Sequence, residues 1–308
     1  MTPVSVFFNI LDSAVIGTDP RDLVKSEYRR FFSDGEVVSK LFSEICALDM
    51  IYSIARMRDG YYRDRLVLKG GMSVRNHVPL VDHRFSFDAD YDPNSYAGYS
   101  FGDVKEIRPD IVKYANIRKS STRVGRAREV DRFHFIDFGY REALRSAGRI
   151  DIEETPKVEL CKTGCRVQLE PVEDEMSTMM DLNFLGLSPL VIKHVALEEQ
   201  LATKLFIVGD TRRGKRNHFD AYDALRIVDD NPDINWKKVR QVFEVLAGKK
   251  MVKGHITSPR NHIAECRHQL DVMRINTGKK AQLADVVFQK GFDFDKMADR
   301  VKELYDRV

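Results

Sequence analysis

Val37, Leu41, Ile45, Leu48, Tyr52 and Ala55 recur at helical spacing up to Asp59-Gly60, and Ser33 followed by Glu36 has the form of a capping box ahead of them. The pattern predicts an amphipathic helix. Leu66-Val67-Leu68 is a short apolar run bounded by charge and ended by Gly70-Gly71, as expected of a buried strand entering a tight turn, with a short helix after it that stops before Pro79. From Phe85 to Tyr91 the chain alternates: Phe85, Phe87, Ala89 and Tyr91 fall on one face, and Ser86, Asp88 and Asp90 on the other, which predicts a half-buried strand. A helical segment over 104–117 is interrupted by Pro109. Strand-like runs follow at 133–138, 149–153, 157–160 and 166–170, the last two joined as a hairpin at Thr163-Gly164. Beyond Pro189 the period turns helical. Leu197, Leu201, Leu205 and Val208 make one stripe, Phe219, Tyr222 and Leu225 a second, and Trp236, Val239, Phe243 and Leu246 a third, while Ser258-Pro259 signals the start of a fourth helix.

This order of elements predicts an α+β fold. A mixed sheet core with a helical amino-terminal arm occupies residues 1–188, and a helical domain occupies 189–308. Length agrees, since 308 residues is about twice the usual domain. A composition of 43% hydrophobic and 31% charged residues is that of a folded globular protein. Fifty Lys and Arg against 47 Asp and Glu leave a net charge of +3, so bulk charge does not identify a nucleic-acid binder, and such a role must rest on local clusters. Four cysteines and no recognisable secretory leader point to a reducing cytoplasm. The apolar stretch 182–192 is too short for a bilayer and contains Asn183 and Pro189, so no membrane role is expected.

The stretch Lys69-Gly-Gly-Met-Ser-Val-Arg75 and the later Arg84-Phe-Ser-Phe-Asp-Ala-Asp90 carry the most chemistry. A glycine pair after a buried strand lets backbone N–H groups approach a phosphate with no Cβ in the way. Asp88 and Asp90, two apart on one strand, project to the same side, where hard oxygen ligands can share Mg²⁺ with triphosphate oxygens. Two such ions, about 3.5–4 Å apart, stabilise the attacking and leaving oxygens of an in-line displacement. Either motif alone is common. Their order, with a strand, a glycine turn, a short helix and then a strand bearing Asp-x-Asp, resembles that of the polymerase-beta-like nucleotidyltransferase superfamily.

Together with Glu199-Gln-Leu-Ala-Thr-Lys204 and Phe219-Asp-Ala-Tyr-Asp223, these stretches are similar to four successive motif regions of the AbiEii-type nucleotidyltransferase toxins of type IV toxin–antitoxin and phage-defence systems. The resemblance spans roughly residues 65–228 and implies a metal-dependent enzyme that uses an NTP and Mg²⁺, acts on an RNA hydroxyl, tRNA-like in class, and has a cognate antitoxin. It implies that Asp88 and Asp90 ligate the metal, that Lys69, Gly70, Gly71, Ser73, Arg75 and Asp223 contact the nucleotide, and that Lys204 and Asp220 act in catalysis. Met72 stands where the family usually has Thr or Ser, so the motif's hydroxyl either comes from Ser73 or is absent. Such enzymes often take a third carboxylate from a neighbouring strand. Ile150-Asp-Ile-Glu153 fits that shape, Asp151 first and Glu153 on the same face, and Val158-Glu159-Leu160 competes with it.

Two basic clusters are candidate polyanion contacts. Arg118, Lys119, Arg123, Arg126 and Arg128 fall in a Ser- and Gly-containing loop, and Arg212, Arg213, Lys215 and Arg216 lie between the helices bearing Lys204 and Asp220. Cys161 and Cys165 lack a second ligand pair, and His262, Cys266 and His268 share a predicted helix on which they cannot all face one ion, so zinc is not expected. No Gly-x-Ser-x-Gly elbow or Walker loop is present. Two other readings keep a place: the same transfer to a small-molecule or protein hydroxyl, and a nucleotide- or RNA-binding module without catalysis.

Overall fold

The computed structural model describes residues 35–78, 84–99, 117–124, 129–135, 157–161, 169–176, 189–210, 217–287 and 292–308. The chain forms two compact units. The first comprises 1–76, 85–165 and 171–194, and the second 77–84, 166–170 and 195–308.

Unit 1 is built on a mixed seven-stranded sheet. Its strands are β1 (Leu66–Lys69), β2 (Asp88–Pro93), β3 (Ile117–Val124), β4 (Glu129–Phe135), β5 (Lys157–Cys161), β6 (Val172–Glu175) and β7 (Val191–His194), in the order β3-β4-β5-β2-β1-β7-β6. Leu66, Val67 and Leu68 are all buried, so the continuous apolar run reflects a central strand enclosed on both faces. β2 lies beside β1, antiparallel, with Lys69 opposite Asp90, and beside β5, parallel, with Glu159 opposite Asp90. Helix α1 (Gly35–Arg56) packs on β2. It is buried nearly all round from Ser43 to Ala55, not amphipathic as the apolar spacing suggested. Glu44 occupies the enclosed face because Arg75 pairs with it at 3.3 Å, where both side chains are almost fully buried.

Three strand expectations need correction. β2 forms its ladder from Asp88, while Phe85–Phe87 are described without a ladder. The basic stretch expected as a loop begins as strand: Arg118, Lys119 and Arg123 lie on β3, which pairs antiparallel with β4. Backbone pairing there overrides a sequence with little apolar alternation. The expected hairpin partner of β5 is not formed either. Leu169 and Glu170 are not in a strand, β5 pairs with β2 and β4, and the antiparallel pair after Pro171 is β6 with β7. The expected segments at 104–116 and 149–153, the hairpin turn at 163–164 and Ser33 lie outside the described residues.

Unit 2 is a helical bundle of α3 (Leu197–Val208), α4 (Asn217–Asp230), α5 (Trp236–Val252), α6 (Pro259–Ile275), α7 (Thr277–Val286) and α8 (Phe294–Leu304). The predicted stripes are its core, with Leu201, Leu205, Val208, Tyr222, Leu225, Val239 and Phe243 buried. Ser258 caps α6 as expected, its Oγ accepting from the Asn261 N–H at 3.1 Å with Pro259 at the first position. Asn235 caps α5 by accepting from the Lys238 N–H.

α3 packs against α4, α5 and α6. Its last carbonyls would be orphaned in that interior without partners from elsewhere. Tyr305 donates its hydroxyl to Leu205 O at 2.7 Å, His262 donates Nε2–H to Phe206 O at 2.9 Å, and Asn217 donates Nδ2–H to Val208 O at 3.2 Å. Cys266 adds a weak thiol contact to Leu205 O. His262 and Cys266 thus satisfy the end of a buried helix, and burial pulls the His262 imidazole below its ordinary pKa and pushes the Cys266 thiol up to about 12.

Candidate active site

The turn after β1 is shaped by one backbone conformation. Gly70 has φ 75° and ψ −158°, a region essentially closed to side-chain-bearing residues. A Cβ built there would come 2.8 Å from Asp90 Oδ2, so the glycine also keeps the space beside that carboxylate open. The single helical turn α2 (Gly71–Val74) follows, closed by Val74 N–H to Gly70 O at 3.1 Å and Arg75 N–H to Gly71 O at 3.0 Å. Met72 and Ser73 are both fully buried, and the Ser73 hydroxyl has no hydrogen-bond partner among the described residues.

On β2, Asp88, Asp90 and Asp92 share one face by the period of two. Asp88 and Asp90 are half-buried, whereas Asp92 is buried and receives the Lys69 ammonium at 2.5 Å. The row of three acids is therefore divided. One is neutralised within the sheet, and the two nearer the strand start lie in the neighbourhood of the Gly70 turn, Asp90 in contact with it. Lys69 and Arg75, expected at the nucleotide, are engaged by Asp92 and Glu44. Asp92 was missed by the sequence reading, although the Asp-x-Asp-x-Asp spacing displays it.

The fit of this face to a divalent ion rests on its donors. Two carboxylates on one strand face, one of them beside a hollow that any side chain would fill, are hard oxygen ligands of the kind Mg²⁺ takes. No cluster of three metal-ligating side chains occurs among the described residues. Register puts Glu159 level with Asp90 on the adjacent strand, while Asp151 and Glu153 lie outside the described residues.

Unit 2 gathers the other candidates on α3 and α4. Lys204 Nζ lies 2.7 Å from Asp220 Oδ1 and 2.7 Å from Asp223 Oδ2. The two aspartates meet it together because residues three apart share a helix face. Asp223 also accepts a two-point contact from Arg84, with Nε to Oδ1 at 3.0 Å and Nη2 to Oδ2 at 2.9 Å, and the Arg84 guanidinium lies 5.0 Å from the Phe219 ring centre. Two cations and two anions thus compensate one another in a cluster in which Lys204 and Asp223 are buried. Burial by itself would lower the Lys204 pKa, but Asp220 and Asp223 outweigh it and hold the ammonium above the ordinary lysine value. Burial would likewise raise Asp223, yet Arg84 and Lys204 bring it below the usual carboxylate range. Arg84 was quoted in the sequence motif without a role. Nothing in sequence pairs it with a residue 139 positions away. The Arg212–Arg216 cluster, like Arg126 and Arg128, lies outside the described residues.

The family model described as nucleotidyl transferase AbiEii toxin, type IV toxin–antitoxin system, matches residues 54–302. The chain belongs to the AbiEii nucleotidyltransferase toxin family. As an AbiEii member it is a nucleotidyltransferase of the toxin class, and the family implies an NTP substrate and an antitoxin partner. Among solved structures it is similar to the nucleotidyltransferase toxin MenT4 from Mycobacterium tuberculosis, with 14% identity and a TM-score of 0.57 over 91% of this chain and 87% of that one, a likeness of fold. No curated protein matches. The AbiEii motif regions noted in the sequence all fall inside the matched span. No helix among the described residues is long and apolar enough to cross a membrane.

Proposed function

We propose that the chain transfers a nucleotidyl group from an NTP to the hydroxyl of an RNA, tRNA-like in class, in the cytoplasm. The acceptor oxygen forms a bond to the α-phosphorus, the α–β phosphoanhydride bond breaks, and pyrophosphate departs. Asp88 and Asp90 hold two Mg²⁺ ions, which when bound supply Lewis-acid stabilisation of charge on the transferring phosphate. Gly70, Gly71 and Ser73 line the phosphates, Ser73 through a buried hydroxyl that has no partner among the described residues. Lys204 neutralises charge on the triphosphate, oriented by Asp220 and Asp223. Lys69 and Arg75 act one step back, fixing the strand and turn through Asp92 and Glu44. A third carboxylate, Asp151 or Glu159, accepts the hydroxyl proton, and the register of Glu159 beside Asp90 keeps it a candidate.

The observation carrying this reading is the side-chain-free space at Gly70 against the Asp90 carboxylate. The test is to incubate the protein with Mg²⁺, each labelled NTP and total RNA, alongside Asp88→Ala. Label on RNA from wild type alone is expected. Label appearing on the polypeptide or on a small molecule, or nucleotide binding without transfer, would overturn it.

A further inference from the structure

The net charge of +3 conceals a strong local asymmetry. Between Trp236 and Lys280 there are eleven Lys and Arg against three Asp and Glu, so the rest of the chain is net acidic. Lys279 donates to Asn217 Oδ1 at 2.7 Å, and the other ten cations divide into two kinds. Lys250, Arg267, Arg274 and Lys280 pair with Asp210, Asp306, Asp299 and Asp295 and brace the bundle. Lys237, Lys238, Arg240, Lys249, Lys253 and Arg260 are exposed. Of these, Lys237, Lys238, Lys253 and Arg260 form no ion pair among the described residues, and Arg240 donates only to the Arg307 carbonyl, at 3.3 Å. Three of the six stand on the first turns of α5 and two at its end, about 18 Å further along at 1.5 Å per residue, with Arg260 in the first turn of α6. Glu244 is the single acid on α5.

From this placement we infer that the exposed face of α5 and the start of α6 form a docking surface for the phosphate backbone of the acceptor RNA. The inference rests on the RNA reading above and adds to it a surface made of residues outside the catalytic motifs. A backbone of regularly spaced single charges matches a row of lysines, which act as point charges without directional demand. Such contacts set position and affinity and carry no base sequence. A membrane surface fits less well, because α5 spends Val239, Val242, Phe243 and Ala247 inside the bundle and exposes only Val245, Met251 and Val252 as large apolar side chains, with no aromatic residue among them. An acidic protein fits less well, since protein interface cores are depleted in lysine.

The experiment uses full-length protein carrying Asp88→Ala, so that binding is read without turnover, and labelled bulk tRNA as probe. Two surface variants are compared with it: Lys237→Ala/Lys238→Ala/Arg240→Ala and Lys249→Ala/Lys253→Ala/Arg260→Ala. Each is expected to lower RNA affinity about 10-fold or more in low salt and to flatten the dependence of log K on log[salt] by about 3, near one unit per phosphate contact. Both are expected to melt at the parent temperature. With Asp88 restored, each should raise KM for RNA and leave KM for the NTP unchanged. Parental affinity and salt slope in both variants would overturn the inference, as would loss of poly-glutamate binding with RNA binding intact, which would assign the surface to an acidic protein. The two readings fail separately. If wild type labels no RNA but the variants still lose tRNA affinity, the surface stands without the acceptor. If wild type labels RNA and the variants bind it fully, the acceptor stands without the surface.

Discussion

The turn after β1 and the α3–α4 pair both hold polar groups inside the protein, but by different physics. At Gly70 the device is steric: a backbone conformation that only glycine tolerates, and a gap beside Asp90 that a methyl group would close. At Lys204 the device is electrostatic, four charges of alternating sign, Lys204 and Asp223 buried and Arg84 and Asp220 partly so, that each need the others. A steric device fails locally and is insensitive to pH, whereas a charge cluster fails as a unit and titrates. Substitutions should therefore leave different signatures in the two regions.

The largest expected effect is on chemistry in unit 1. Asp88→Ala should lower nucleotidyl transfer about 10³-fold, the equivalent of about 4 kcal/mol of transition-state stabilisation, in a protein whose circular dichroism is unchanged. Transfer at wild-type rate by this variant would remove β2 from the mechanism. Next comes the charge cluster. Arg84→Met strips Asp223 of one of two counter-charges in a buried setting, and urea unfolding should show a loss of about 3 kcal/mol. Asp223→Asn combined with Arg84→Met should cost less than the sum of the two changes; strict additivity would mean that the groups do not interact.

Acid titration sharpens the contrast. Asp223 is depressed in the folded state, so its contribution is complete above the ordinary carboxylate pKa and is lost as pH falls through the lower folded value. Lys204 is raised, so its contribution is complete below the ordinary lysine pKa and is lost as pH rises through the higher folded value. Stability of wild type minus Asp223→Asn, measured against pH, should therefore shrink at the acid limb, and a difference flat down to pH 2 would contradict the cluster. Gly70→Ala should cost about 1–3 kcal/mol and much of the activity, by an amount independent of pH between 5 and 8. The smallest effect is expected at the α6 cap, where Ser258→Ala should cost about 1 kcal/mol by thermal melting without changing transfer.

What the sequence revealed follows the same division. Periodicity placed α3, α4 and α5 because each buries a regular stripe, β1 showed as a continuous apolar run and α6 through its Ser-Pro start, and the glycine turn and Asp-x-Asp were legible because their chemistry is local. α8 was equally legible, with Asp293 as cap and Phe294, Met297, Ala298, Val301 and Leu304 buried at helical spacing, yet it went unread. Arg84 with Asp223, Arg75 with Glu44 and Lys69 with Asp92 could not be read, since a charged residue carries no mark of the distant partner it will meet. β3 escaped for a related reason, as its strand state is fixed by pairing with β4 and not by its own polar sequence. His262 and Cys266, set aside in the sequence as unable to share one ion with His268, had no legible task there, because the carbonyls they serve lie on α3.

That last arrangement has a bearing on when the chain becomes dangerous to the cell that makes it. The helix carrying Lys204 relies for its final turn on a phenol made one hundred positions later. At translation rates of about 5–20 residues per second, roughly 5–20 s separate the emergence of the two. A ribosome-tethered toxin would spend that interval with its lysine-bearing segment incompletely braced, a grace period during which an antidote can be waiting.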